Sequence, residues 1–380
     1  MGSSSFSPFM SKWIKKNYPD VKSDLCTCFI ERIMGLCEES GLAGITTSNS
    51  WMFLSSFEKL RENMVNIFTI ETLVQLSVHG FHGIAAQVCT FVLRNSYSEG
   101  YLGGYIRLND FDHHSLQQPK TLEAIANPDC GYFYRRNAKT FTRIPGTPIA
   151  YWVSDALRNL IAEGVATGYE YEVGSGLSTG DNDRFLRRIW EVPSSRISYD
   201  GEIPAKWYFF QKGGDYRKWY GNLEYVVNWE EDGRDIKYWV THNPKDPNTT
   251  SWSRRIFNTH LYFKEGFSWS VISSGVISFR WIDRRGMISN AAGGVFSTND
   301  NSFRRIPCVL GAFNTNIWRE IFSLLNPTLN YSSGIIAKAP LPSGHPSVEV
   351  DGLVSENVSI SKADWDSFET SWDFKRHPLV

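Results

Sequence analysis

None of the six cysteines, Cys26, Cys28, Cys37, Cys89, Cys130 and Cys308, forms a Cys-x-x-Cys pair, and no two pairs stand at zinc-site spacing. Three of them fall on one expected helix, where free thiols pack as small apolar residues, which points to a reducing compartment. The start, Met1-Gly2-Ser3-Ser4-Ser5, has no basic region and no apolar run of signal length. No stretch approaches a membrane span. A disulfide scaffold and a membrane protein are thereby set aside, and the expected location is cytoplasmic, with no membrane partner. Positive charge is not in excess either. The formal net charge is −1, so any nucleic-acid contact must rest on local basic patches.

Several catalytic motifs are missing. There is no Gly-x-Ser-x-Gly elbow and no His-Glu-x-x-His helix, which weakens hydrolase readings. Chemistry on the exocyclic amine of a flipped base calls for Asn or Asp followed by Pro-Pro-aromatic, so that acceptors hold the amine while the ring stacks. Asn127-Pro128-Asp129, Asn243-Pro244-Lys245 and Asn326-Pro327-Thr328 have only the Asn-Pro start and read as turns. The run from Gly174 to Gly180 has the wrong spacing for a dinucleotide fingerprint and no Lys-Ser/Thr for a phosphate loop; it reads as a turn leading into Asp181. His79 lies near His82, and His113 adjoins His114, but no carboxylate or cysteine set completes a metal site, so none is assigned.

What is present is an ordered, aromatic chain. An apolar fraction of 42% over 380 residues suffices for two or three cores. Fourteen tryptophans suit β-rich cores, base stacking or sugar platforms alike. Apolar residues at helical spacing predict a helix from Ser23 to about Ser40, capped by Ser23 and stopped by Gly41. Leu42 to Thr46 reads as a buried strand. Ser55-x-x-Glu58 predicts a capping box opening a second helix, and Thr72 to Ser77 and Val88 to Leu93 read as strands close enough for a hairpin. Helix, strand, helix, strand, strand is the second half of a doubly wound α/β domain. A connector is expected over 96–150, broken by glycine and proline. A helix is expected after Pro148, then many short β runs up to about Phe296, a helix from Asn314 to Leu325, and a Pro- and Ser-rich tail from about 341.

Basic residues cluster with aromatics in the second half: Lys212 with Arg217 and Lys218, the pair Arg254-Arg255, Arg284-Arg285, and Arg304-Arg305. Arginine forks read guanine edges or hold phosphates, and lysines hold phosphates as point charges. Such pairs equally serve as a solvated surface or as partners for carboxylates such as Asp215, Asp283 and Glu320.

The run from Ser50 to Arg61, "SWMFLSSFEKLR", resembles the adenine-specific DNA methyltransferase PglX family of the BREX phage-exclusion systems. The resemblance continues in "TGDNDRFLRRIWEV" from Thr179, "KGGDYRKWYGNLEYVVNWEEDG" from Lys212, "FKEGFSWSVISS" from Phe263, and "SISKADWDSFETSWDFKRHP" near the end. In that family the catalytic Asn-Pro-Pro-Tyr is followed by a Met-Gly-Ser type sequence, then by "KKNYPD" and "KSDL", which stand here at Lys15–Asp20 and Lys22–Leu25. The resemblance therefore implies a chain that starts just after the catalytic tetrapeptide and ends before the family's usual end.

It implies an α/β plus β-rich fold: the second half of a Rossmann-like methyltransferase domain over 1–95, a connector over 96–150, a mixed, largely β target-recognition domain over 151–340, and a tail over 341–380. It places Phe81 like the aromatic that packs against the flipped base, although a core phenylalanine closing a hairpin explains it equally. It raises DNA contact for the clusters Lys212, Arg217, Lys218, Arg254, Arg255, Arg284, Arg285, Arg304 and Arg305 as a group. S-adenosylmethionine is implied for the complete enzyme, and none for this chain alone. Double-stranded DNA is the implied partner, with an upstream methyltransferase fragment or other phage-exclusion proteins as further candidates. Two other readings stay open: a stand-alone module that binds DNA or blocks a methyltransferase, and an aromatic-rich β module for sugars.

Overall fold

Asp24, not Ser23, starts the first long core helix: its carboxylate accepts the Cys26 N–H at 3.0 Å, and the helix stops at Gly35, six residues short of Gly41. The computed structural model describes residues 2–83, 85–200, 205–273, 275–326, 328–342 and 347–379, except the side chains of 300–304. Two units divide the chain, Met1–Glu163 and Gly164–Val380.

In the first unit α1 (Pro8–Asn17), α2 (Leu25–Met34) and α3 (Glu58–Asn66) accompany β1 (Leu42–Ser48), β2 (Thr69–Gln75) and β3 (Val88–Arg94). Ser55 opens a 3-10 turn instead of a capping box, and α3 begins only at Glu58 with no side-chain cap. β2 and β3 pair antiparallel, as their closeness predicts, and β3 lies between β1 and β2. The stretch read as a connector supplies β4 (Leu102–Arg107), α4 (His114–Ala126) and β5 (Phe133–Asn137), and both strands join the same sheet in the order β1-β3-β2-β4-β5. The helix expected after Pro148 begins later, as α5 (Asp155–Glu163); Tyr151 precedes it and is fully buried, stacked on Tyr105 at 5.0 Å. Trp51, Met64, Leu73, Phe91 and Leu93 fill the core beside them. Phe9, Trp13 and Phe29 on α1 and α2 stay exposed.

In the second unit come α6 (Thr167–Glu170), β6 (Tyr171–Gly174), α7 (Asn182–Phe185), β7 (Leu186–Arg188), β8 (Ile197–Ser198), β9 (Trp207–Gln211), β10 (Tyr225–Asn228) and α8 (Glu230–His242). Then follow β11 (Gly266–Ser270), β12 (Phe279–Ile282), β13 (Gly286–Ile288), β14 (Ala292–Ser297), α9 (Asp300–Phe313), α10 (Asn316–Leu325), α11 (Ser333–Lys338) and α12 (Val348–Trp365). The short strands form two sheets, β13-β9-β10-β7 with β8 also on β9, and β12-β11-β14-β6. Every β9 residue, Trp207 to Gln211, is buried, so this strand runs through the core. The residues read as a tail form α12 and a following turn, and Trp365 of the helix and Trp372 of the turn join the core of this unit. The protein is thus mixed α/β with several sheets.

Candidate nucleic-acid interface

Most of the basic residues singled out in the sequence are committed to internal partners. Arg285 forks onto Asp373 at 2.9 and 3.0 Å and also holds Asp283, with its plane over Trp372. Those bonds pull the Asp373 carboxyl down to about 2, Arg285 foremost and Lys362 after it. Arg217 pairs with Asp364, donates to the Tyr220 carbonyl at 3.0 Å and covers Trp365. Lys218 donates to the Asn314 carbonyl at 2.6 Å. Arg305 pairs with Glu170 at 3.0 Å and Arg255 with Asp246 at 3.2 Å. Arg284, 75% exposed, lies 3.7 Å from Glu265. Arg254 is exposed and has no ion pair among the described residues. The side chain of Arg304 lies outside the described residues. Phe81, in the segment linking β2 to β3, is 42% exposed, so it is no core residue closing a hairpin.

A different group of cations gathers at the edge strand β7. Asp181 caps α7 by accepting the Arg184 N–H at 3.1 Å, which sets the register of the residues that follow. β7 pairs antiparallel with β10, placing Arg188 opposite Tyr225. The guanidinium of Arg184 lies 4.5 Å from the Trp239 ring centre, and Arg188 lies 5.3 Å from both Trp190 and Tyr225. The Lys212 ammonium covers the other flank of this group, 5.0 Å from Tyr225, and partial burial holds its pKa below the usual lysine range. Arg187 donates to the Asp183 and Leu186 carbonyls, both at 2.6 Å. Arg188 is paired with Glu224. Arg184, Arg187 and Lys212 have no carboxylate partner among the described residues. Trp190 is exposed at the same edge. Flat cations over aromatic rings at an open edge can hold phosphate oxygens and offer faces to bases. Of these residues the sequence reading marked only Lys212. The signal for the rest was the Arg187-Arg188 pair two residues before Trp190.

The histidines form no ligand set. His79 bonds Asp112 at 2.8 Å, His82 meets His114 edge to face, and His113 caps α4. Among the described residues no three His, Cys, Asp or Glu side chains converge on a metal position. In the glycine run 174–180 a Cβ on Gly176 would stand 2.0 Å from the Ile288 carbonyl, so packing requires glycine there. No helix among the described residues is long and apolar enough to cross a membrane.

The sequence profile of the Eco57I restriction-modification methylase family matches residues 1–81. Over its whole length the chain is 34% identical to the adenine-specific methyltransferase PglX of Lacticaseibacillus casei (strain Zhang), covering 32% of that protein. It is 32% identical to the adenine-specific methyltransferase BrxX of Escherichia coli O9:H4 (strain HS), again over the whole chain and 30% of that protein. The chain thus spans about a third of the length of these curated relatives. Among solved structures, the type IIL restriction-modification enzyme MmeI, determined in complex with DNA, shares the fold with a TM-score of 0.56 at 13% identity, covering 98% of this chain and 49% of that one.

Proposed function

The chain is a relative, along its whole length, of the adenine-specific methyltransferases PglX and BrxX, and from that premise we propose that it is the DNA-reading portion of such an enzyme. The complete enzyme would move a methyl group from S-adenosylmethionine to the exocyclic amine of adenine, as modification in phage defence. The observation that carries this reading is the similarity to both relatives over the whole length of the chain, through both units. The first unit would be the back half of the methyltransferase fold: β1-β3-β2, with α2 and α3 alongside, supports that assignment. Its exposed apolar residues Phe9, Trp13 and Phe29 suit a surface that an upstream methyltransferase fragment would cover. Phe81, exposed beside β3, would pack on the flipped base. The second unit would be the target-recognition domain, holding phosphates and reading base edges through the β7 edge.

The glycine turn 174–180, whose spacing is wrong for a dinucleotide fingerprint, packs at Gly176 against the Ile288 carbonyl, which supports a chain that does not hold the cofactor by itself. No step of transfer is therefore assigned to this chain, whose own part would be recognition. The competing reading, a stand-alone DNA-binding or methyltransferase-blocking module, shares the DNA contact and differs in needing no upstream fragment. Two measurements on the chain test the proposal. Duplex DNA should bind at low salt, and calorimetry with S-adenosylmethionine should give no heat of binding. Micromolar affinity for the cofactor would sink the recognition-only role, and absence of DNA binding would sink the DNA-reading role.

A further inference from the structure

Among the described residues Arg280 is a cation without a counter-ion. It stands on β12, 2% exposed, and donates to the Arg217 carbonyl at 3.3 Å, Ser278 Oγ at 3.4 Å and Ser270 Oγ at 3.0 Å. No carboxylate accepts from it among the described residues. Burial pulls its pKa down to about 10, which leaves it charged at neutral pH. Ser268, opposite Arg280 in the β11–β12 register, is buried with its hydroxyl unpartnered among the described residues. The surroundings of this charge are polar but carry no compensating anion, an arrangement that is costly unless something else answers the charge.

The loop beside Arg280 runs from Lys212 to Asn222. Gly213 and Gly214 take φ values of +79° and +138°, open to glycine and strained for other residues. Ser270 Oγ accepts from Arg280 and donates in turn to the Gly214 carbonyl at 2.8 Å. A trans peptide holds its C=O and N–H on opposite sides, so the Asp215 N–H points away from the buried arginine. Gly214, Asp215 and Tyr216 are all exposed there, and the Asp215 N–H has no acceptor among the described residues. Arg280, Ser270 Oγ and the Gly214 carbonyl are joined by two successive hydrogen bonds, each of which polarises the next. The Asp215 N–H of the same peptide is therefore a stronger donor than an ordinary loop amide. Tyr216, 58% exposed, flanks it, and Lys212 opens the loop with its ammonium over Tyr225.

We propose that this loop is a seat for a phosphodiester oxygen of the nucleic-acid backbone, held by the Asp215 N–H with Lys212 as the flanking point charge. The proposal rests on the DNA-reading role above and gives that role a phosphate contact that fixes register without reading sequence. The group opposing it is the Asp215 carboxylate, which repels the phosphate its own amide attracts.

That opposition supplies the test. Binding of a fluorescent mixed-sequence DNA duplex to the whole chain is measured at low salt for three variants. Asp215→Asn keeps the amide and removes the repulsion, and is expected to bind about threefold more tightly than the parent. Asp215→Pro removes the carboxylate and the N–H together, and is expected to bind about tenfold more weakly than Asp215→Asn. Ser270→Ala cuts the relay from within, away from the surface, and is expected to weaken binding by about threefold. Thermal unfolding checks each variant, and Ser270→Ala decides the matter should Asp215→Pro not fold. Equal binding by the two Asp215 variants, or parental binding by Ser270→Ala, overturns the seat. A parent chain that binds no DNA overturns the DNA-reading role, and the seat with it.

Discussion

Arg61 closes two loops with one side chain. Its buried guanidinium donates to the carbonyls of Trp51 at 2.8 Å, Leu54 at 2.7 Å and Thr147 at 3.0 Å, and twice to Gly146. Among the described residues no carboxylate bonds it, and burial holds its pKa down at about 10. Arg61→Met would strand these carbonyls away from water, and is expected to lower the unfolding free energy of the first unit by roughly 3–5 kcal/mol. Urea denaturation measures it; a loss below about 1 kcal/mol would mean that water reaches the carbonyls after all. Nothing local marks this arginine as buried, because its partners at 146–147 lie 85 and 86 positions away. The opposite kind of residue is Asp232. It follows Glu231 in a left-handed turn at the start of α8, with φ +57° and +50° respectively. Asp232→Gly is expected to raise stability by up to about 1 kcal/mol, since it relieves the turn and loses only an exposed pair with Lys237. A lower urea midpoint for this variant would show that the turn is held without strain.

At the scale of elements, periodicity misled less than composition did. The helices α2 and α3 and the strands β1 to β3 follow their apolar spacing, with ends displaced by a few residues where Asp24 or the 3-10 turn at Ser55 sets the boundary. β4 was hidden because Gly103 and Gly104 interrupt its apolar pattern, and β5 because it reads Phe-Tyr-Arg-Arg-Asn; only pairing with β2 and β4 makes them strands. The final segment looked like a linker, yet Arg285 and Lys362 both hold Asp373, and Trp372 packs on Phe209. That clasp has a pH signature. Asp373 titrates near 2 when folded, against 3.8 for a free side chain, so its stabilisation is present above the free value and is lost as pH falls through it toward 2. The shift corresponds to about 2 kcal/mol for this largely covered group. Asp373→Asn should remove that amount at neutral pH and flatten the acid limb of the stability curve of the second unit. Parallel acid limbs for the two proteins would place the acid sensitivity elsewhere.

For the molecule as a whole, a net charge of −1 gives no long-range attraction to DNA, so the proposed contact would rest on a few uncompensated cations. The family was legible in long distinctive runs, but the identity of those cations was not, because a sequence does not reveal which arginines already have carboxylates. Arg217, Arg255, Arg285 and Arg305 have them; Arg184, Arg187 and Lys212 have none among the described residues. Each phosphate neutralised contributes about −0.9 to the slope of log affinity against log salt, so Arg184, Arg187 and Lys212 together give a slope of roughly −3. Replacing Arg184, Arg187 and Lys212 with alanine should bring it close to zero and weaken binding at low salt far more than at high salt. Replacing Arg254 and Arg284 is the informative counterpart, since both are exposed and were marked by the sequence alone. If the DNA runs along the β7 edge, that pair of changes leaves the slope where it was. A slope that drops with Arg254 and Arg284, and holds without the other three, would move the interface off the aromatic edge to the surface that carries those two arginines.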